Sequence, residues 1–422
     1  MRSPAARRSF RLLWTGQTVN IAGTWVSSVA LPLVAVDRLH ASTFDVGLLE
    51  AMQWIPAVLI GLPVGALADR CRPRLLMMGA NLGQAAATAA VPLTAAFGAL
   101  TLTVLLGAAT AAGFFGVFFQ TAYSPYIREV VDPDDLTVAT ARLQAGQSAA
   151  KVSGPSIAGV LVATIGAANT VIADAASFIV CFAALLMSEP GAAKKAPLRQ
   201  PMGKQIAEGL RHLKASSLLV TLTACTASAN FFLTAIGAIE IVFLVRAVNV
   251  PAWTIGLLFT ISGTGGLLGA IFATKLSGHV DTFTVARRAL ALTAPFAVLI
   301  PLAHHGPAVI LFAIGGFIVT FGLTLVSVAF SSLRLLHCPP DLLGRITGAS
   351  RLLSAASIPI GALLGAGLGQ VLGTRTALLL LAVGYVGFSL AILRTPLRAP
   401  LLKDTAAPDT HHSATAAKVD RG

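Results

Sequence analysis

Ionisable side chains inside long apolar stretches are the residues of this chain that could do chemistry. Glu50, Lys151, Asp174 and Glu240 each stand within a run of mostly apolar residues, as in IGAIEIVFLV around Glu240. A charge placed in hydrocarbon costs roughly 2.5 kcal/mol or more, so residues of this kind mark functional sites. A carboxyl group without a counter-charge there favours its protonated form and can exchange that proton when water reaches it. The four residues are therefore candidates for proton coupling.

Sequence spacing separates these candidates into two kinds. Lys151 and Asp174 fall at similar depths in neighbouring segments, so we predict that they form an ion pair with a structural role. Glu240 has no opposite charge within a helical turn, because Arg246, six residues on, lies off its face. Glu240 either exchanges protons or faces water at the outer end of its segment. Glu50 lies near the outer end of another segment and is a further candidate.

The elements that position these residues are membrane-spanning helices. The 422 residues are 55% hydrophobic and 11% charged, whereas soluble domains carry about 25% charged residues. Apolar runs of about 20 residues recur along the whole chain and lack the alternation of a β-barrel strand. We predict an all-α integral membrane protein with about 12 transmembrane helices. The predicted spans are 12–36, 46–68, 75–97, 99–124, 136–164, 167–188, 216–245, 252–274, 286–303, 307–332, 344–371 and 375–393.

The distribution of basic residues predicts the orientation of these spans. The chain has 30 Lys and Arg against 17 Asp and Glu, a net charge of +13. Most of the cations fall in the two tails and in the connections on one side, and only Arg38, Arg246 and Arg375 fall on the other. Because cationic connections stay cytoplasmic, we predict a multi-pass protein of the cell (inner) membrane with both termini in the cytoplasm. The basic surplus reflects topology and predicts no nucleic-acid partner.

The chain divides into two halves that resemble each other. A polar segment at 189–215 separates spans six and seven, and GKQIAEGLRHLKA within it has the apolar spacing of a surface amphipathic helix. PDDLTVATARLQAGQSAAKVSGPSIAGVL parallels PPDLLGRITGASRLLSAASIPIGALLGAG in the second half. We predict two pseudo-repeated six-helix bundles, an arrangement typical of transporters. The predicted parts are a cytoplasmic tail at 1–11, bundles at 12–188 and 216–396, the linker between them, and a disordered cytoplasmic tail at 397–422.

Several motifs resemble those of a known family. GALADRCRPR, with a Gly, an Asp-Arg pair and further basic residues, resembles the loop between spans two and three of the major facilitator superfamily. The repeated segments around spans five and eleven are similar to the branch that contains enterobactin exporters and macrolide-efflux proteins. The resemblance covers about residues 9–396 and implies two six-helix bundles around a central substrate cavity.

The loop motif is expected to act as a conformational latch. Gly65 lets span two pack closely, and Arg70 and Arg74 hold the loop on the cytoplasmic side. Asp69 gains nothing from that charge bias, but an acid beside a helix N-terminus is stabilised by about 0.3–1 kcal/mol. The resemblance implies that this helix is span eleven, near Gly344, so that Asp69 holds the halves together in the outward-facing state. A solvated loop with a basic anchor is the alternative.

Span five carries GQSAAKVSGPSIAG, which resembles the Gly-Pro motif of exporters in the superfamily. Pro155 bends the helix by removing a backbone donor, and Gly146, Gly154 and Gly159 permit close contact with another helix. We predict span eight as that partner, through its SGTGGLLGA run. Ordinary packing of small residues is the alternative to an export motif.

Polar and aromatic side chains in the apolar spans are candidates for the wall of a substrate cavity. They are Gln17, Asn20, Gln53, Gln120, Gln144, Gln147, Asn230, Phe115, Phe119 and Phe231. The sequence shows neither the clustered acids, metal ligands or nucleophile of a membrane enzyme nor a phosphate-binding loop with its Lys.

We predict a secondary active transporter that exports a small hydrophobic or amphipathic molecule by alternating access, driven by proton antiport. It is expected to need no cofactor, metal or ATP. Its expected partners are that substrate and membrane lipid, and the fold implies a monomer. An importer of the same fold and a non-transporting receptor or scaffold are the alternatives, and the Gly-Pro motif in span five argues against import.

Overall fold

The protein is helical throughout a computed structural model that describes residues 4–68, 71–189, 202–276, 282–338 and 340–394. These residues contain no β-strand, which confirms the predicted all-α fold. The helices are α1 (Pro4–Asp37), α2 (Thr43–Ala68), α3 (Pro73–Ala96), α4 (Leu102–Val130), α5 (Leu136–Ile165), α6 (Ala167–Met187), α7 (Met202–Ala215), α8 (Ser217–Val242), α9 (Ala252–Leu276), α10 (Thr282–Thr293), α11 (Ile310–His337), α12 (Pro340–Leu372) and α13 (Thr374–Arg394).

All of these helices except α7 occupy the predicted spans, and within the described ranges eleven segments are long and apolar enough to cross a membrane. The remaining helix, α3, is less apolar because it carries Asn81 and Gln84. Helix α1 begins at Pro4, so residues 4–11, predicted as a tail, are helical instead. The ninth span changes from α-helix to 3₁₀-helix at Ala294–Leu299, where a proline removes a backbone donor. The tail at 397–422 lies outside the described residues.

The two halves contain the same turn at equivalent places. Gly166 joins α5 to α6 and Gly373 joins α12 to α13, and both have a φ of +82°. Glycine adopts this conformation without the steric cost that a side chain would bring. The equivalence fits the repeat seen in the sequence around spans five and eleven.

The helices run between two ends of the molecule. We call the end with the α1–α2 connection the α1–α2 end, and the opposite end, where α7 lies, the α7 end. Leu213 of α7 is buried there with Leu219, Cys338 and Ile346. The linker helix α7 therefore packs on the second half through the apolar side that the sequence predicts.

The hydrophobic core differs between these two ends. At the α1–α2 end, a single cluster of buried side chains includes residues of both halves, among them Val34, Leu105 and Ile239. Towards the α7 end each half has its own cluster, which contains Tyr126 in the first half and Leu290 in the second. The halves therefore share apolar packing at the α1–α2 end and have separate cores towards the α7 end.

Candidate functional site between the two halves

One contact between the halves joins α5 to α9. A methyl group added to Gly159 would lie 2.9 Å from the carbonyl oxygen of Ala252 and 3.1 Å from Cα of Gly256. On the same side, the hydroxyl groups of Ser156 and Thr260 are hydrogen-bonded at 2.6 Å. The two backbones can approach this closely because glycine has no side chain.

The glycines of the predicted Gly-Pro motif, all on α5, contact two different helices. Gly146 and Gly154 pack against α1, within the first half. Gly159 packs against α9, the predicted eighth span, but it meets the beginning of that helix. Gly265 and Gly269, in the predicted SGTGGLLGA run, pack on α11 instead. Gly263 of that run lies against the backbone of Lys151 and Val152 in α5, so the predicted contact is made there, whereas Gly159 meets the beginning of α9.

A second contact between the halves involves α2, α8 and α12. Gly47 of α2 packs directly on the backbone of α12. The backbone N–H of Thr43 donates to Oε1 of Gln370 at 3.1 Å. Arg246, which follows α8, donates to the carbonyl oxygen of Ala41 at 2.6 Å. Polar bonds and apolar packing thus both join the halves at the α1–α2 end.

Two of the predicted proton-coupling residues, Glu50 and Glu240, lie at this second contact. Their neighbours Ala51 of α2 and Ala238 of α8 share a buried cluster with Ala362 of α12. Both acidic side chains are half-buried, and the two carboxyl groups interact electrostatically across the boundary between the halves. Sequence reasoning treated the two acids separately. Their proximity could have been predicted from the fact that Glu50 and Glu240 both lie towards the α1–α2 end of their spans.

The predicted ion pair between Lys151 and Asp174 is wrong. Nζ of Lys151 lies 5.6 Å from the ring centroid of Trp25. Asp174 is buried elsewhere, where the hydroxyl of Ser177 donates to its Oδ1 at 3.4 Å and a methyl group on Gly23 would lie 2.9 Å from that same oxygen. The two residues share a depth in the membrane, but their helices turn them towards different neighbours.

The predicted latch is only partly described. Asp69 and Arg70 lie outside the described residues, as do the side chains at 341–345, so their predicted contact stays a prediction. Gly65 is buried. Arg74 donates from Nε to the carbonyl oxygen of Leu185 and from a terminal nitrogen to that of Leu186, both at 2.8 Å. Arg74 therefore satisfies the last carbonyls of α6, where a cation also suits the helix dipole.

We expect Arg74→Ala to lower the free energy of unfolding by about 1.5–3 kcal/mol, because two charge-assisted hydrogen bonds to α6 are lost. Thermal unfolding of the purified protein in detergent measures the change. Arg72→Ala is the control, since Arg72 is exposed nearby and its removal should leave the midpoint unchanged. Equal midpoints for the two variants would show that the hydrogen bonds of Arg74 to α6 do not stabilise the fold.

Three of the predicted cavity residues contact other residues of the first half. Asn20 donates from Nδ2 to Oδ1 of Asn81 at 3.0 Å, so the two buried side-chain amides are hydrogen-bonded to each other. Phe119 is buried and stacks on Tyr123, and Phe115 covers the gap beside a glycine of α3. The buried Asn20 and Phe119 therefore do not line a cavity, whereas the half-buried Phe115 stays a candidate for the cavity wall.

The other predicted cavity residues differ in exposure and contacts. Asn230 donates to the carbonyl oxygen of Ser354 at 3.4 Å, and the backbone of Phe231 lies against Gly361, so both join α8 to α12. Four more, on α2, α4 and α5, lie at least partly exposed: Gln53, Gln120, Gln144 and Gln147. Gln17 is buried, and its Oε1 has no hydrogen-bond partner among the residues that the structure describes.

Two bundles of spanning helices that share a core at one end define the class of this protein as a membrane transporter of the two-bundle type. The chain belongs to the Major Facilitator Superfamily, whose family model matches residues 13–362. This family consists of transporters and not of enzymes.

Relatives and solved structures agree with the family. The chain is 26% identical over 387 residues to the MFS-type transporter YfiS of Bacillus subtilis, covering 88% of this chain and 89% of the relative. It is 26% identical over 372 residues to the multidrug efflux pump Tap of Mycolicibacterium fortuitum, covering 86% and 89%. A bacterial homologue of ferroportin in an inward-facing state superimposes with a TM-score of 0.72 at 16% identity, covering 92% of this chain and 100% of that one.

Proposed function

We propose that this protein is a secondary exporter of a small hydrophobic or amphipathic molecule and that it works by alternating access. The shared core at the α1–α2 end, with separate cores towards the α7 end, is the observation that carries the proposal. Such an arrangement is one of the two states that rocking of two bundles produces. The relatives named as multidrug efflux pumps support export, and the enterobactin-exporter and macrolide-efflux branch remains the proposed placement.

The α7 end is the cytoplasmic end in this proposal. Cationic connections stay in the cytoplasm, and the end opposite α7 carries Arg38, Arg246 and Arg375, a small share of the 30 basic residues. The protein would then lie in the cell membrane as a monomer with both termini inside. With this orientation, the shared core at the α1–α2 end would close the protein towards the outside.

Protons would drive the cycle through Glu50 and Glu240. When both carboxyl groups are ionised at the joint between the halves, their repulsion disfavours closure of the outer side. Loss of a proton to the cytoplasm would therefore favour outward opening, and uptake of a proton from outside would favour closure. In this cycle protons move inward and substrate moves outward, which is antiport.

Reconstitution in liposomes tests the proposal. An anionic amphipathic dye such as fluorescein should accumulate inside vesicles with an acidic lumen and should leave when nigericin collapses the pH gradient. Protein-free vesicles are the control. Dye movement in the same direction as the protons would support import. A transport rate that is the same with and without the pH gradient would exclude proton coupling.

A further inference from the structure

Helix α5 has a polar face that is exposed towards the α7 end. Thr140, Gln144 and Lys151 are exposed, and their spacing of four and seven residues places them on one side of the helix. On the opposite side, Ile157 and Val160 are exposed at 45% and 58%. An exposed apolar side of a spanning helix faces lipid, whereas charged residues in such helices face a water-filled cavity.

The polar face of α5 leads into the contact between the halves. Four, seven and eleven residues beyond Lys151, the same face carries Pro155, Ala158 and Val162, all of which are buried. Ala158 and Val162 belong to the cluster that both halves share. Lys151 therefore faces the space that lies between the halves below their shared core.

Helix α12, which occupies the equivalent place in the second half, repeats this arrangement with Arg351. Arg351 is exposed, and eleven residues further on the same face carries Ala362, which packs against Gly47 of α2. Ile360 and Leu364 on the opposite side are exposed at 53% and 54% and mark the lipid side. The space between the halves thus receives one cation from each half.

Neither cation is neutralised by a partner in the part of the chain that the structure describes. Among the described residues, Lys151 has no charged neighbour, and the charged neighbour of Arg351 is another cation, Arg334 of α11. The nearest described interaction of Lys151 is with the indole of Trp25, at 5.6 Å, and a cation above an aromatic face still attracts an anion. The acids Glu50 and Glu240 lie further towards the α1–α2 end, at the joint between the halves.

We propose that Lys151 and Arg351 form a binding site for the anionic group of the substrate, and that Trp25 packs on its apolar body. The chemical class is an amphipathic carboxylate, sulfonate or phosphate. This inference rests on the proposed function and specifies its substrate. A bound anion neutralises the unpaired positive charge between the halves. We expect this to favour the conformational change of the substrate-bound protein.

Binding of two dyes with a common xanthene scaffold tests the site. Fluorescence anisotropy of anionic fluorescein and cationic rhodamine 123 is titrated with purified protein in nanodiscs of phosphatidylcholine. We expect tighter binding of fluorescein, a loss of at least about tenfold in Lys151→Met, and near-normal binding in Lys151→Arg. Arg351→Met should also weaken binding, whereas Arg38→Met, which removes an exposed charge at the other end, should not. Tighter binding of rhodamine 123, or unchanged fluorescein binding in Lys151→Met, would overturn the proposal.

A second measurement identifies the source of the anion and separates this site from the proposed function. Competition by phosphatidylglycerol in the nanodiscs would assign the site to a lipid headgroup, and lack of competition would assign it to a soluble amphiphile. Fluorescein binding that depends on Lys151, without any gradient-driven transport, would keep the site and contradict the exporter. Undiminished gradient-driven transport of fluorescein by Lys151→Met would keep the exporter and contradict the site.

Discussion

Replacing Glu240 with glutamine is expected to abolish transport driven by a pH gradient, while substrate exchange without a gradient continues. Glutamine resembles the protonated carboxyl group in shape but has no proton to release. The step in which an ionised Glu240 repels Glu50 and opens the outer side is then missing. Rates of dye movement in proteoliposomes, with and without the gradient, measure the two activities separately.

The electrostatic effect on the conformational equilibrium is large enough to detect. Two unit charges 4 Å apart repel by about 4 kcal/mol at an effective dielectric constant of about 20, and this energy falls in inverse proportion to distance, so we expect a repulsion of roughly 2 kcal/mol between the two carboxylates. This energy corresponds to a ratio of about 30 between the two states. Glu50→Gln should shift the equilibrium in the same direction as Glu240→Gln, and the double variant should add little, because either substitution removes the repulsion.

Glu129→Gln is the matched control for both variants. Glu129 is also a half-buried acid at the end of a spanning helix, but it lies at the α7 end, away from the contact between the halves. Its substitution should leave gradient-driven transport at the wild-type rate. Wild-type gradient-driven transport by Glu240→Gln would remove that residue from the proton pathway.

The helices themselves were predictable from the sequence because their signals are local. Apolar runs, prolines and glycines placed the spans close to the observed ones, as at α5 (136–164 predicted, Leu136–Ile165 observed). Side-chain partners were less predictable. Gly146 and Gly159 belong to one motif, but the helix turns them towards α1 and α9. Sequence spacing gives the angle between two residues on a helix and does not say which helix lies at that angle.

The pairs of ionisable residues show the same limit in physical terms. Depth in the membrane suggested that Lys151 and Asp174 meet, but depth is only one coordinate of a side chain, and the other is the direction in which its helix turns it. Asp174 is held within the first half beside Ser177. Glu50 and Glu240 come together only because two distant segments share the surface of α12, which no local pattern encodes.

Replacing Gly256 with valine is expected to reduce transport at least about tenfold by keeping the outer side open. A methyl group on Gly256 would lie 3.0 Å from Cα of Gly159, so even a small side chain forces α5 and α9 apart. Overpacking of this kind costs about 1–3 kcal/mol, which shifts a two-state equilibrium by roughly 5- to 150-fold. Spin labels at Arg38 and Val371, one in each half at the α1–α2 end, measure the separation, which should increase.

Gly107→Val is the control, because Gly107 is an exposed glycine of α4 with open space around the position of an added methyl group. It makes the same chemical change in a spanning helix without touching the other half. Its transport and its label separation should match those of the unsubstituted protein. If Gly256→Val leaves the label separation unchanged but still stops transport, the close approach of α5 to α9 supports folding or substrate passage and does not govern outer closure.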